Sequence, residues 1–513
     1  MAERRTREIS LSDYAHLSGE GRWTAAFAAA FDVLEQAGGG TLRVPSGDYH
    51  SGTIRLRSNT TLYLEEGARI IGSTDLADYE AGERGHNEDR TPWHLIQAHD
   101  CRQVTITGAG TVDGSGPAFW EKDPDDPAYE GGFIRAYKDR RPSPMVELVR
   151  CRGVAVHGVT LTRSPGWTLH LHDCDDVKVS GITIRNSPWG PNTDGIDLTG
   201  VHDCELENCS IDTGDDAVCL KTTGDSRDLR NVTVRDCDIR TYCVGLKLGC
   251  VESVRDMRHI RFENCRVRES SRLLALYSYR GARIEDVAAV GISGDTRAPL
   301  IQNRPIQIEV QIDAPDPAQP DGFVHDPAER PPYIRGVTVE DFHAETDGRI
   351  MLVASDGLRL EDIALRDVRL SYPYMYRADL TAAEAASRQF ARHAPEARAA
   401  QAAIVVDGDV TATLEDVAVA WPDSSVQGMP AAWHFEKKFE NGSFRSFPVG
   451  AEEAAQGAHV LWARGPARLR ARNLPEIGYG GWPAQQLDSH VLLETRYGEG
   501  SGSTDAEGRT YAE

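Results

Sequence analysis

The sequence predicts an all-β, single-domain right-handed parallel β-helix, a solenoid closed at its start by a helix. Three observations predict it. Val104-Thr-Ile-Thr-Gly-Ala-Gly, Val154-Ala-Val-His-Gly-Val-Thr-Leu, Val177-Lys-Val-Ser-Gly-Ile-Thr-Ile, Val232-Thr-Val-Arg-Asp-Cys-Asp-Ile and Ile260-Arg-Phe-Glu-Asn-Cys-Arg-Val share one frame. Most alternate apolar and polar residues, turn at Gly, Asp or Asn, and alternate again, as short strands bending at fixed corners do. The frame persists from about residue 40 to 310. The third observation is two acidic motifs separated by sixteen residues, which is roughly one coil of a solenoid whose repeats run about 20–30 residues.

The elements follow in order. Residues 1–39 form the N-terminal segment, and 22–37 place apolar residues at helical spacing up to a glycine run. Thr24 or Ser18 opens that helix and Gly38 closes it. Its role is to cover the terminal coil, since an unpaired strand edge invites association. Residues 40–497 are the solenoid, with insertions at about 115–145, 373–402 and 421–450. The first is rich in Pro, Asp and Tyr and reads as a long loop beside a cleft; 380–402 reads as helical; 421–450 is a loop bearing Trp and Phe. Between and after the last two the frame returns at Leu358-Arg-Leu-Glu, Ala412-Thr-Leu-Glu and Ala467-Arg-Leu-Arg. The tail 498–513 is glycine-rich and polar, and is expected to be disordered.

Composition narrows the partners. The 513 residues carry 56 basic and 79 acidic side chains, a net charge of −23. That balance argues against nucleic acid and anionic membranes, and a long polyanion would need locally clustered Arg or Lys. No apolar run of 18 residues exists, and the charged start Met1-Ala-Glu-Arg-Arg-Thr-Arg-Glu has no apolar stretch behind it. The expectation is therefore a cytoplasmic chain without a membrane span, unless a leader was trimmed. Ten cysteines suit a reducing compartment, and Cys151, Cys174, Cys204, Cys237 and Cys265 recur beside β-rich runs as one stacked interior position. The rival readings are a disulfide ladder and a metal site. No CxxC pair or Cys/His spacing supports a metal, and no cofactor is expected.

The acidic motifs are Asn192-Thr193-Asp194-Gly195 and Gly214-Asp215-Asp216. Each alone is a good turn or a solvated surface. One coil apart, they bring three carboxyls into one patch, as acid–base cleavage of a glycosidic bond requires. Together they resemble the signature of the polygalacturonase-like glycosidases, glycoside hydrolase family 28. Gly38-Gly-Gly-Thr-Leu-Arg-Val-Pro-Ser-Gly-Asp-Tyr and Leu62-Tyr-Leu-Glu-Glu-Gly-Ala resemble that family's opening coils. The resemblance implies a general-acid role for Asp215, and for Asp194 and Asp216 the holding and deprotonation of water. It also implies inversion at the anomeric carbon. Crowding should raise one pKa, expected at Asp215. Asp197 reads as a corner residue.

This chain departs from the family in the next two coils. Where the family carries a His in Gly-His-Gly, Val244 stands here. The family's carboxylate-gripping Arg-x-Lys falls on Leu273 and Ala275, or on Ala275 and Tyr277, with no cation in either register. The sugar at that subsite is then either neutral or differently acidic, or its carboxylate is held by a site rebuilt from Lys247, Arg272, Arg280 and Arg304. Substrate contacts are expected from Trp189, His170, Asn192, Lys221, Tyr242, Lys247, Tyr277 and Arg280, the aromatic faces stacking on sugar rings. Trp167 and Trp189 read equally as corner packing. The leading reading is an inverting glycoside hydrolase acting from the end of a cell-wall-derived oligosaccharide. A β-helix uronate lyase or epimerase, or a non-catalytic saccharide-binding relative, remains open.

Overall fold

The computed structural model describes residues 7–472 apart from 84, 86–88, 123–133, 137–139, 251–252, 297–302, 313–329, 347, 356, 373–375, 379–401, 421–435, 440–441 and 449–458, and beyond 472 short strands alone. They fall into two compact units, residues 1–241 with 255–260, and 242–254 with 261–513. Each is built of stacked parallel coils in the right-handed sense. The expected helix at 380–402 lies outside the described residues.

In the first unit the helix Thr24–Gln36 buries Ala26, Phe27, Ala30, Phe31 and Leu34. It packs on the strands Gly40–Val44 and Ile54–Arg55, covering the first coil. Neither expected residue caps it: Trp23 stands at the cap position without a side-chain bond, and the Thr24 hydroxyl instead accepts the Gly52 N–H at 2.8 Å. Gly38 ends it as expected, with φ +85° and its N–H donated to the Glu35 carbonyl at 2.9 Å.

The coils then stack in register. Strands Ile96–His99, Val146–Val149, Leu169–His172, Ile196–Thr199 and Val218–Lys221 form one parallel ladder. Arg102–Gly108, Arg152–His157, Asp175–Ser180, His202–Glu207 and Leu229–Arg235 form another. Apolar side chains therefore repeat in columns, such as Val104, Val154, Val177, Cys204 and Val232. The corner after these strands takes the left-handed backbone at Gly158 (φ +70°) and Gly181 (φ +61°), and at Asn208 and Asp236 (φ +56° and +55°) where no glycine stands. Asn and Asp tolerate that conformation, which explains why the three residue types exchange at one position of the frame.

All ten cysteines are free thiols, nine of them buried. They do not fill one interior position. Arg102, Arg152 and Asp175 are in register, so Cys101, Cys151 and Cys174 line one corner. Cys209 and Cys237 line a second, beside the paired Ser210 and Asp238, and Cys204 fills the valine column.

In the second unit strands Val244–Leu248, Arg272–Ser278, Ile306–Val310, Ile350–Ala354 and Ala402–Asp407 pair in parallel. Beside them run longer strands, Arg283–Thr296, Tyr333–Thr346, Arg359–Ser371 and Asp409–Ala420, where the frame was expected to return. The tail forms short antiparallel pairings, Gly498–Gly500 with His490–Thr495 and Gly502–Thr504 with Thr510–Ala512, because its glycines permit tight reversals. Among the described residues no helix is long and apolar enough to cross a membrane.

Candidate active site

The three acids meet because of one coil length. Strand Ile196–Thr199 pairs with Val218–Lys221, Ile196 opposite Val218, a separation of 22 residues along the chain. The turns just before these strands stack likewise. Gly195 donates its N–H to the Asp216 carbonyl at 2.9 Å, and Thr168 donates to the Asp194 carbonyl at 3.0 Å. Asp194 thus sits one rung, about 4.8 Å, from Asp216. Asp215 lies half-buried beside them; its carboxylate accepts the Asp216 N–H at 2.8 Å. The hydroxyls of Thr213 and Thr241 donate to the Asp215 carbonyl at 2.7 and 2.6 Å, holding the turn from two sides.

Each residue of the first motif has a local task. Asn192 takes φ +49°, and Thr193 bridges two turns by donating to the Gly190 carbonyl at 2.9 Å and accepting the Gly214 N–H at 3.2 Å. Gly195 is required by space: a Cβ there would lie 2.4 Å from the Ala217 carbonyl oxygen. The motif is therefore a packing unit as well as a source of carboxylate.

Electrostatics single out Asp194. It is 5% exposed, and its Oδ1 has no hydrogen-bond partner among the described residues. Burial, reinforced by the charges of Asp197, Asp215 and Asp216, holds its pKa well above the ordinary carboxylate value, with Lys221 acting in the opposite sense. Three coupled carboxyls share fewer than three charges and titrate as a set.

Two expected substrate contacts are corrected by burial. Lys221 is 3% exposed. Its Nζ lies 2.7 Å from Asp197 Oδ1 and 3.4 Å from the Trp167 ring centroid, so its charge supports the sheet beneath the acids. Asp197 is accordingly the partner of Lys221 within a strand, not a corner residue. His170 is buried with both ring nitrogens engaged, Nδ1 at 3.1 Å from Glu147 and Nε2 at 2.9 Å from the Thr199 hydroxyl. Burial lowers its pKa to about 3, so it stays neutral. Burial also opposes charge on Glu147, yet His94, His170 and Arg90 outweigh it and hold that pKa well below the usual range.

Trp189 and Asn192 remain half-buried on the turns around the acids, where a ligand can reach them. Two residues there were not anticipated. Arg141 is fully buried and donates to the Asn192 side chain at 3.2 Å. Half-buried Trp120 donates its indole N–H to the Pro165 carbonyl at 2.8 Å, and a Cβ on Gly190 would come 2.9 Å from its ring. The signal for both was their place in the Pro-rich insertion, which pointed to a loop but not to individual side chains.

The second unit holds the segment where the family motif fails. Val244 is in register with Arg272, and Lys247 with Ala275. Leu273 is buried outright, while Val244, Ala275, Tyr277 and Tyr279 pack together, the two tyrosine rings stacked at 5.2 Å. The Tyr277 hydroxyl donates to Gln307 Oε1 at 3.1 Å, and the Arg272 Nε–H donates to the same oxygen. Arg304 Nη1 lies 3.6 Å from Glu309. Burial lowers the Arg304 pKa, whereas around Arg272 it is outweighed by Tyr277, Cys243, Tyr279 and Glu309. Tyr242, Lys247 and Arg280 are half-buried, and Tyr277 is 7% exposed.

Parallel coils presenting a patch of carboxyls define a class of solenoid equipped for acid–base chemistry. Residues 36–380 match the model for glycosyl hydrolases family 28, and the chain belongs to that family. It is 31% identical over 234 residues to a probable polygalacturonase of Vitis vinifera, covering 43% of this chain and 45% of that protein. It is 25% identical over 290 residues to an exopolygalacturonase of Zea mays, covering 50% and 66%. The chain thus spans about half to two thirds of these relatives. In fold it resembles the Yersinia enterocolitica family 28 exopolygalacturonase, with TM-score 0.61, 17% identity and coverage of 87% of this chain and 80% of that one. It also resembles the Thermotoga maritima exopolygalacturonase, with TM-score 0.55, 24% identity and coverage of 71% and 87%.

Proposed function

We propose that the protein hydrolyses a glycosidic bond of a pectin-like oligosaccharide with inversion, acting from a chain end. The convergence of Asp194, Asp215 and Asp216 by a 22-residue coil carries this reading. A set of carboxyls that shares fewer than three charges keeps one proton to give and a carboxylate to receive another. Asp215, the least buried of the three, donates to the leaving oxygen. Asp194 and Asp216, on adjoining rungs, flank the attacking water and accept its proton as the new bond forms. The names of the relatives support a pectic substrate and action from the end.

Family membership leaves the sugar at the cleavage subsite open. The positions matching the family's cationic clamp bring a buried Leu273, an Ala275 and a tyrosine already bonded to Gln307. Arg272 and Arg304 are engaged with Gln307 and Glu309. These observations support recognition by aromatic faces and neutral hydrogen bonds rather than a rebuilt carboxylate clamp.

Asp215→Asn tests the assignment. It should lower kcat by at least ~10²-fold, the scale of a general-acid contribution, and leave KM nearly unchanged. Turnover close to wild type would remove Asp215 from the role. The same assay on wild type, followed by NMR at the anomeric carbon, reports inversion directly.

A further inference from the structure

We infer that Arg141 is a positioning residue for the acid cluster: its guanidinium clamps the turn bearing Asp194 and supplies the positive charge beside which Asp194 and Asp215 ionise. The inference rests on the hydrolase reading above. Arg141 is 0% exposed and uses its planar fork on four acceptors. Nη1 donates to the Pro165 carbonyl at 3.0 Å and the Pro191 carbonyl at 2.7 Å. Nη2 donates to Asp89 Oδ1 at 2.9 Å and Asn192 Oδ1 at 3.2 Å. Pro165 and Pro191 precede equivalent strands of adjacent coils, Leu169–His172 and Ile196–Thr199. One side chain therefore staples two successive turns, and the second of them carries Asp194.

The charge argument is independent of the staple. Burial disfavours charge on Arg141, while Asp89, Asp194 and Asp215 each favour it, so the guanidinium and both catalytic carboxyls share one field. Around Asp194 the other charged groups are Asp197, Asp216 and Lys221, and Lys221 is paired with Asp197. Removing Arg141 would strip the cluster of its nearest guanidinium and leave Asp89 as a further carboxylate without its partner. Ionisation of the acids would then become harder, and the acid limb of activity would move to higher pH. A purely structural staple would lower the melting temperature without moving that limb.

Arg141→Gln and Arg141→Lys separate the two. For Arg141→Gln we expect kcat to fall ~10-fold or more with KM within about twofold. The acid limb of kcat should rise by about one pH unit, the scale on which a nearby opposite charge shifts a carboxyl. Arg141→Lys keeps the charge but not the fork, so it should lose turnover with its acid limb near that of wild type. An unmoved limb in Arg141→Gln overturns the inference; if that variant fails to fold, a limb in Arg141→Lys displaced as far as one pH unit does so instead. Should the wild type cleave no glycan, the hydrolase reading falls, and thermal melts still decide this one. Arg141→Gln should lose more stability at pH 8 than at pH 5, and adding Asp194→Asn should restore part of the pH 8 loss. Additive losses at both pH values overturn the electrostatic coupling.

Discussion

A carboxyl that is 5% exposed, with Oδ1 unpartnered among the described residues and three acids around it, sits where a folded protein gains nothing from it. The folded-state pKa of Asp194 is raised, so its proton is held more tightly in the folded chain than in the unfolded one. Its relative contribution to stability is full below the unfolded value, about 3.9, and is lost as pH rises through the folded value. Asp194→Asn removes that loss. At pH 8 the variant should be more stable than wild type by on the order of 1 kcal/mol, with little gain at pH 3, while hydrolysis collapses. Denaturant titrations at the two pH values measure it, and a variant less stable at pH 8 would mean that the ionised group is better solvated than its surroundings indicate. Sequence reading found Asp194, Asp215 and Asp216 because their spacing matches a coil. It misplaced His170 and Lys221 for a physical reason. In strands Leu169–His172, Ile196–Thr199 and Val218–Lys221 every residue is buried, so the polar alternation that marks an outer face is missing. Their polar side chains satisfy one another instead.

At the scale of elements, the covering helix and the side-chain columns bear the load. Phe31 is fully buried in the helix Thr24–Gln36 where it packs on the first coil. Phe31→Ala should cost about 3–5 kcal/mol, the range for emptying a buried aromatic site. Because it loosens the cover over an open strand edge, light scattering should also show association. A loss below ~1 kcal/mol in denaturant titration would show that the helix is dispensable. The helix was legible from its apolar spacing and its glycine stop. Its start was not, since Thr24 spends its hydroxyl on Gly52 of a strand rather than on the helix. Arg141 was equally illegible: two of its four acceptors are backbone carbonyls of distant turns, which no residue type announces.

The whole molecule carries a net charge of −23, and this bears on substrate choice. A trianionic sugar approaches against that field, whereas a neutral one does not feel it. For trigalacturonate kcat/KM should stay below the ~10⁴ M⁻¹s⁻¹ usual for a true substrate, and should climb with added salt as repulsion is screened. Neutral α-linked oligosaccharides of similar length should show no such climb. Efficient cleavage of trigalacturonate at low salt would reveal a local cationic site strong enough to overcome the field, with Arg272, Arg304 and Lys247 the residues to substitute next. The repeat frame made the solenoid readable over its length, because each coil repeats the same corner and the same apolar column. The insertions obey no such frame, and there the sequence indicated position without form.

The 22-residue step between Ile196 and Val218 also has a genealogical meaning. A chain that lengthens by copying coils can add or drop whole turns with little harm, since each turn asks the same of its neighbours. Within this step no such freedom exists. One residue gained or lost between Thr199 and Asp215 would slide the second acidic turn past the first, and with a side-chain period of two it would swap the faces of the strand that follows. Descendants of this sequence should therefore differ freely in the length of 115–145 and hardly at all in the length of 199–215. Length variation along the chain would then work as a map of where chemistry, rather than folding, forbids change.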